Sequence, residues 1–479
     1  MEALEATAYK EIIEKLLDAE KLRNCFECGI CTASCPMAEI LGDQYNPRCL
    51  LEKIVMNPKT ALSSEEIWFC GWCYRCHKRC PQALKIPEIF LHLRSAAVEQ
   101  GYMQALENAL QKIVANVPLP LVATLVCLHP ERAGINNDKV LQNIDQMREE
   151  LPKTKKRQKG AKPPKARVAV IGSGPAGLTV ACELVRNGYD VTILEALSEL
   201  GGMLRKGIPE PRLPKQVLTR ELQFIKNLGV EMKTRTRVGK DISFCDLQSK
   251  GYKATFVAPG AHKTSTLKIE GEDLEGVVHA LDFLWDSNSH KKMRIGKNVV
   301  VIGGGKSAVD AAVTARCLGA KEVTVLYRRS QEEMPASLWE VKQAEEEGVK
   351  MELLVSPKKF FGDNGRVSAI ECVRMQLGEP DETGRRKAIP MEGSEFTRDT
   401  DMVILAIGET PDLAFLPEEV ERNDDGTIWV NPITMETSMP GVFAGGDAVT
   451  GPASVIEAIR DGKRAAKSIE NYLKSLKEA

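Results

Sequence analysis

The sequence predicts an α/β protein in which two nested, doubly wound parallel-sheet units follow an all-α domain. Three observations carry this reading. The order strand, glycine turn, helix, strand occurs twice, at 168–195 and at 299–327. Nine of the 14 cysteines fall in the first 80 residues, between segments of helical periodicity. The stretch LPKTKKRQKGAKPPKAR at 151–167 holds eight Lys or Arg and no acid, and reads as a solvated linker between the two regions.

Composition narrows the function classes. A chain of 479 residues predicts about three domains. With 65 basic and 66 acidic residues, its net charge of -1 gives no drive toward nucleic acid or anionic lipid. The best apolar run, at 117–128, contains Pro118 and Pro120 and falls short of the about 20 residues of a membrane-spanning helix. The opening MEALEATAYKEIIEK is acidic and amphipathic, unlike a secretory signal, so a cytoplasmic protein is expected. The expected domains are a helical, cysteine-rich 1–115, then 116–166 as connecting segment and basic linker. Residues 167–290 with 410–479 form the first doubly wound domain and 291–409 the second.

In chain order, Leu4, Ile12, Ile13, Leu16 and Leu17 recur at helical spacing, and Pro47 and Pro87 sit where first helical turns begin. Among these segments lie Cys25-x2-Cys28-x2-Cys31-x3-Cys35-Pro36 and Cys70-x2-Cys73-x2-Cys76-x3-Cys80-Pro81. In a cytosolic chain such runs read as metal binding rather than disulfides. Three cysteines at intervals of three wrap a tight turn around one face of a cubane. In the ferredoxin pattern the fourth, ahead of proline, ligates the other cluster. Carried onto these positions, Cys25, Cys28, Cys31 and Cys80 hold one 4Fe–4S cluster, and Cys70, Cys73, Cys76 and Cys35 hold the second. Zinc is disfavoured, because zinc sites pair two C-x2-C knuckles without such a run. Cys49, Cys127, Cys182, Cys245, Cys317 and Cys372 stand alone and read as small buried hydrophobes.

From Arg167 on, VAVIG (168–172) reads as a buried parallel strand, followed by a helix from about Pro175 to Arg186 and the strand VTILE (191–195). Gly172-x-Gly174-x-x-Gly177, with Pro175 and Ala176 inside it, joins strand to helix, and Glu195 stands 23 residues after Gly172. The first glycine makes the turn, the second admits a pyrophosphate, the third packs helix on strand, and the acid accepts from a ribose hydroxyl. Gly303-x-Gly305-x-x-Ala308, with Lys306 and Ser307, repeats the pattern between VVVIG (299–303) and a helix reaching about Leu318; VTVLY (323–327) is the next strand. There the residue matching Glu195 is Tyr327, followed by Arg328 and Arg329. An absent acid and two fork-shaped donors predict a 2′-phosphate, hence NADP(H).

Residues 365–400 alternate apolar and polar and read as antiparallel strands attached to the second unit. VFAGGD (442–447) brings Gly446 and Asp447 to a turn ahead of a helix starting near Ser454, an arrangement suited to a flavin's ribityl chain and ring. FVAPGA (256–261), with Gly260, and LAIGETPD (405–412), with Gly408, read as crossovers between the two dinucleotide domains.

Residues from about 117 onward resemble the small (beta) subunit of NADPH-dependent glutamate synthase and its relatives. Those relatives include the NADP-side flavoprotein of electron-bifurcating transhydrogenases. The matching stretches include VAVIGSGPAGL, GGMLRKGIPEPRLPK, VVVIGGGKSAVDAA, YRRS, LAIGETPD and GVFAGGDAVTGPASVIEAIRDGKRAA. The resemblance implies FAD at the first glycine turn and contact of YRRS with the adenosine 2′-phosphate. It also implies that Gly202, Met203, Leu204, Gly207 and Ile208 pass near the flavin ring. CFECGICTASCP, NPRCLLEKI and IWFCGWCYRCHKRCP are similar instead to the two-cluster, ferredoxin-like subunit of heterodisulfide reductase, an electron relay without substrate chemistry. The chain reads as a relay module fused to an NADPH flavoprotein.

The expected cofactors are FAD, NADP(H) and two 4Fe–4S clusters. The expected function is electron transfer between these and other redox subunits of a hetero-oligomeric complex, of the bifurcating-transhydrogenase or heterodisulfide-reductase kind. Ferredoxin and a second flavoprotein are candidate partners. The flavin carries the chemistry, so no side chain is assigned as acid or base, and Lys206 and Glu210 read as solvated loop charges. The alternatives are a glutamate synthase small subunit and a non-enzymatic electron carrier. Dithiol reduction is not expected, because the C-x-x-C pairs lie inside the ferredoxin runs.

Overall fold

The computed structural model describes residues 25, 28–150, 165–381 and 384–478; the expected first helix and most of the basic linker lie outside them. The chain forms two compact units. One comprises residues up to Gly202, Lys215–Gly260 and Leu413 onward; the other comprises Met203–Pro214 and Ala261–Asp412.

The first unit opens with helices Ile30–Ala33 (α1), Pro36–Leu41 (α2), Pro47–Met56 (α3), Arg75–Arg79 (α4), Ile86–Glu99 (α5) and Met103–Asn116 (α6). Pro36, Pro47 and Pro87 all occupy first turns, where a missing N–H costs nothing. Asn46 caps α3: its Oδ1 accepts from Arg48 N at 3.1 Å and Cys49 N at 3.2 Å, while the Thr32 hydroxyl donates to it at 2.6 Å. Trp68, Phe69, Phe90, Leu50 and Leu51 fill the core beneath the cysteine loops.

Residues 117–150 are not a mere connector. Pro120–Ala123 (α7) runs into a π-turn at Thr124–Leu128, and Asn137–Glu150 (α8) follows. Glu221, fully buried, accepts from the N–H groups of Leu121 (2.9 Å) and Val122 (3.2 Å) and pairs with Arg148 of α8. A carboxylate at the open N-terminus of α7 satisfies donors the helix itself cannot.

The sheet of this unit holds Arg167–Ile171 (β1), Asp190–Leu194 (β2), Glu231–Lys233 (β3), Tyr252–Val257 (β4) and Val442–Ala444 (β14). Its order is β14-β4-β1-β2-β3, all parallel. Helix Pro175–Arg186 (α9) links β1 to β2, Lys215–Asn227 (α10) precedes β3, and Val455–Glu478 (α14) closes the chain.

The second unit has a parallel sheet of Val277–His279 (β5), Asn298–Ile302 (β6), Glu322–Tyr327 (β7), Val349–Leu353 (β8) and Met402–Leu405 (β13), in the order β5-β13-β6-β7-β8. Helices Ala280–Asn288 (α11), Lys306–Cys317 (α12) and Leu338–Glu346 (α13) belong to it. The expected antiparallel insert is Val355–Asp363 (β9), Arg366–Pro380 (β10), Arg386–Pro390 (β11) and Phe396–Asp399 (β12), paired through β10.

Three expectations need correction. Residues 261–290 and 410–412 belong to the second unit, because β5 pairs with β13 and α11 packs on α12. Residues 203–214 also join it. Arg212 Nη1 reaches both carboxylate oxygens of Asp310 at 2.7 Å, and Asn288 Nδ2 donates to the carbonyls of Arg205, Lys206 and Ile208 at 3.2, 3.1 and 3.0 Å. Among the lone cysteines, Cys127, Cys182 and Cys372 are buried, but Cys49 is half-buried and Cys245 and Cys317 are exposed. Helical periodicity left their faces undetermined; Cys317 ends α12 beside solvent. Among the described residues, no helix is long and apolar enough to cross a membrane.

Candidate functional site

At the carboxyl end of β1, Gly172 takes φ +97°, and a Cβ there would lie 2.2 Å from the Ala258 carbonyl oxygen. A Cβ on Gly174 would meet nothing within 4 Å, so open space faces the uncapped N-terminus of α9. Gly177 packs so closely that its Cβ would lie 2.1 Å from the Gly172 oxygen. Pro175 and Ala176 form the first helical residues. Glu195 is buried at the tip of β2. Its Oε2 accepts from Ser173 N (3.0 Å) and Oγ (2.6 Å), and its Oε1 from Leu197 N (2.8 Å). The carboxylate is thus oriented by the turn it serves, with lone pairs left for a ribose hydroxyl.

Other predicted positions gather here. A Cβ on Gly202 would lie 3.0 Å from Gly174 Cα, and one on Gly446 would lie 3.1 Å from Ala176 Cβ. Gly260 ends the β4 crossover at φ +75°. Asp447 Oδ1 accepts from Ala453 N at 3.1 Å, shaping the loop before α14. Ser454 is committed to capping: its Oγ donates to Glu457 Oε2 at 2.6 Å. Met203, Leu204, Gly207 and Ile208 fall in the other compact unit, with Leu204 fully buried there.

In the second unit Gly303 has φ +145°, with a Cβ that would lie 2.2 Å from the Ala406 oxygen, and Gly305 again faces open space at the start of α12. The third position tolerates Ala308, fully buried. Lys306 is exposed and lies 3.7 Å from Glu340, Ser307 is half-buried, and Gly408 takes φ +110° at the crossover. The two predicted arginines part company. Arg328 is exposed, whereas Arg329 is buried and its Nη2 donates to Asp381 at 2.7 Å. Burial raises the Tyr327 phenol, opposed by the nearby charges of Arg329, Arg385 and Arg328. Arg385, from the turn before β11, was missed by the sequence reading because it lies outside the βαβ unit. Its only signal is the basic run GRRKA (384–388).

These positions divide the labour. Arg328→Ala is expected to weaken NADPH binding by roughly 10- to 100-fold, the range of a charged hydrogen bond, and NADH binding by less than threefold. Arg329→Ala should instead lower the thermal midpoint, since it removes a buried guanidinium and its hydrogen bond to Asp381. Dissociation constants for both nucleotides and thermal midpoints, measured on both variants, check this.

The cysteines of the two runs interact in two groups of four: Cys28, Cys31 and Cys80 act on Cys25, and Cys35 shares a cavity with Cys70, Cys73 and Cys76. Burial, then the neighbouring thiols of Cys31, Cys80 and Cys28, pushes Cys25 up to about 11. Burial also raises Cys31. In the second quartet burial raises Cys35 and Cys76 well above the ordinary thiol range, with Cys73 acting on Cys35, and Cys70, Cys73 and Cys35 acting on Cys76. Cys70 is raised by burial and held back by Arg94. Cys35, Cys70, Cys73 and Cys76 line one cavity with Tyr45 and Ile456. Among the described residues no three His, Cys, Asp or Glu converge on a single-ion site. Cys35, Cys70, Cys73 and Cys76 are distributed around the wall of their cavity, which is a shared space. Trp72 and Tyr74, inside the second run, take left-handed φ of 49° and 59°, which curls the loop around that space.

Helix α14 adjoins this cavity. A Cβ on Gly71 would sit 3.4 Å from Ile456, Arg75 pairs with Glu457, and Arg464 forks onto Glu39 at 2.8 and 2.6 Å. On its other face Gly462 packs so tightly on α9 that a Cβ would lie 2.7 Å from the Ala176 oxygen.

Residues 130–246 and 166–462 match the pyridine nucleotide-disulphide oxidoreductases, and residues 21–84 match the 4Fe-4S dicluster domain. The fold and site define an enzyme that uses FAD, NADP(H) and two 4Fe–4S clusters. The chain belongs to the pyridine nucleotide-disulphide oxidoreductase family, with a dicluster domain fused ahead of it. It is related to glutamate synthase small chains and NADPH oxidoreductase beta subunits. It is 47% identical over 311 residues to the "NADP(+)-dependent formate dehydrogenase subunit beta" of Moorella thermoacetica, covering 64% of this chain and 44% of that protein. It is 38% identical over 441 residues to the "NADPH-Fe(3+) oxidoreductase subunit beta" of Geobacter sulfurreducens, covering 83% and 63%. The chain therefore spans less than two thirds of either relative. Identity to the Escherichia coli glutamate synthase small chain is 40%, over 66% of this chain and 70% of that one. Among solved structures, FprA of Mycobacterium tuberculosis with NADPH superposes at TM-score 0.57 and 20% identity, covering 66% of this chain and 86% of that one. This likeness shows the fold alone.

Proposed function

We propose that this chain is a cytoplasmic redox subunit that passes electrons between NADPH and a partner protein, through FAD and two 4Fe–4S clusters. The observation that carries this is α14: one face packs on the dinucleotide helix α9, while Ile456 near its start lines the Cys35–Cys70–Cys73–Cys76 cavity. When bound, FAD exchanges hydride with nicotinamide and single electrons with clusters.

The residues divide the work. The Gly172–Gly177 turn, Glu195 and Gly446–Asp447 hold the flavin dinucleotide; the Gly303–Ala308 turn and Arg328 hold NADP(H). The Cys35, Cys70, Cys73 and Cys76 site lies next to the flavin-bearing fold. The Cys25, Cys28, Cys31 and Cys80 site reaches solvent at Cys28 and Ile30, while Cys25 and Cys31 are buried. Lys78, Arg79 and Lys85 are exposed, and 75–86 contains no acid, which favours an acidic redox surface on the partner. Relatives named as beta subunits of a formate dehydrogenase and an Fe(3+) oxidoreductase support a partner that carries the terminal substrate site.

The test is an anaerobic NADPH titration followed by flavin absorbance and low-temperature EPR. Flavin bleaching with appearance of cluster signals is the expected result. Bleaching with clusters left oxidised favours electron bifurcation or delivery toward NADP+. Absence of bleaching overturns the proposal.

A further inference from the structure

Arg94, on α5, is fully buried. Its Nε donates to the Ile67 carbonyl at 2.8 Å, Nη1 to Leu128 at 2.5 Å and Nη2 to Cys70 at 2.8 Å. The guanidinium also lies over the Trp68 ring, 5.6 Å from its centroid. All three acceptors are neutral carbonyls; among the described residues none of its hydrogen-bond partners is a carboxylate. The carboxylate whose charge acts on it, Glu131, pairs with His129 at 3.1 Å and is exposed. Arg75, the residue before Cys76, is paired with Glu457.

A guanidinium stays charged at any physiological pH, and removing it from water without a counter-charge is costly. Three carbonyl dipoles orient it but do not neutralise it. Nη2 reaches the backbone of Cys70 itself, and the groups whose charge acts on Arg94 are Cys70, Tyr45 and Glu131, of which Cys70 and Tyr45 line the cysteine cavity. Four thiolates around an iron–sulfur group supply the missing negative charge.

We propose that Arg94 is the fixed counter-charge of the Cys35–Cys70–Cys73–Cys76 site, and that it raises the reduction potential of the cluster held there. The inference rests on the reading that these cysteines hold a cluster. One electron added to that cluster makes it one unit more negative, and a fixed buried cation favours the reduced form. The same cation, forked onto the carbonyl of Cys70, also fixes the loop that presents the ligand. A staple alone leaves the potential unmoved.

The experiment compares the full chain with Arg94→Met, Arg94→Gln and Arg94→Lys. Iron and sulfide content come first, then an EPR-monitored potentiometric titration of both centres. Iron below two clusters in the unsubstituted chain defeats the underlying reading before any variant is made. With clusters present, the neutral variants should lower one potential by at least tenfold in the one-electron equilibrium constant, about 59 mV. The other centre serves as internal control and should move less, and Arg94→Lys should stay near the unsubstituted value. Loss of one cluster from both neutral variants, with retention in Arg94→Lys, also supports the counter-charge. Loss from all three, unchanged potentials in the neutral variants, or equal shifts in Lys and Met overturns it.

Discussion

Gly172→Ala is expected to yield a chain with its iron intact and its FAD largely gone. The added Cβ would lie 2.2 Å from the Ala258 oxygen, and the residue would be held at φ +97°. Left-handed strain alone costs about 1–2 kcal/mol for an L residue. Moving the β4 crossover away from the turn adds to that and misplaces the N–H groups facing the pyrophosphate. FAD affinity should fall more than tenfold. The sister substitution Gly303→Ala meets the Ala406 oxygen at the same 2.2 Å, yet should leave FAD and iron unchanged. In that variant dithionite bleaches the flavin and NADPH does not. Flavin and iron content, with bleaching by the two reductants, separate the cases. Full FAD in Gly172→Ala would remove the assignment of the first turn.

The second large effect concerns the order of the two cysteine sites. Cys73→Ser and Cys28→Ser should each lose one cluster, about half the iron, with opposite kinetic consequences. Each variant is reduced with dithionite, freed of excess reductant and mixed with NADP+. In Cys28→Ser the remaining cluster, in the cavity lined by Ile456, should return its electron at the unsubstituted rate. In Cys73→Ser the remaining outer cluster should be stranded, its EPR signal decaying at least tenfold more slowly. Fast return in Cys73→Ser and slow return in Cys28→Ser means that the outer and inner sites are exchanged. Equal rates mean that the sites do not act in series.

The parts of this protein legible in its sequence are those whose chemistry is local. Strand, glycine turn and helix lie within 30 residues in both βαβ units, and the turn's steric demand falls on the glycines themselves. The cysteine runs are likewise short, because a cubane face fixes the interval between ligands. The antiparallel insert showed as alternation of apolar and polar residues. All of these are constraints between near neighbours in the chain, and spacing records them.

The remainder depended on which distant residues meet. Arg328 and Arg329 are adjacent and alike in sequence, yet one reaches solvent and the other is buried against Asp381, 52 residues on. Arg385 approaches Tyr327 only because β11 folds back along β10. Residues 203–214 follow β2 but are carried by the second unit, through Arg212 on Asp310 and Asn288 on three carbonyls. Glu457 meets Arg75 across 382 positions, and Arg94 meets Cys70 and Leu128 from a helix that reads as ordinary. The sequence thus determined the cofactor chemistry and the approximate fold. Tertiary structure decided which charges are buried, which are paired, and which helix joins the cysteine cavity to the flavin-binding fold. Burial and pairing are properties of the packed interior, set by long-range contacts that local spacing does not encode.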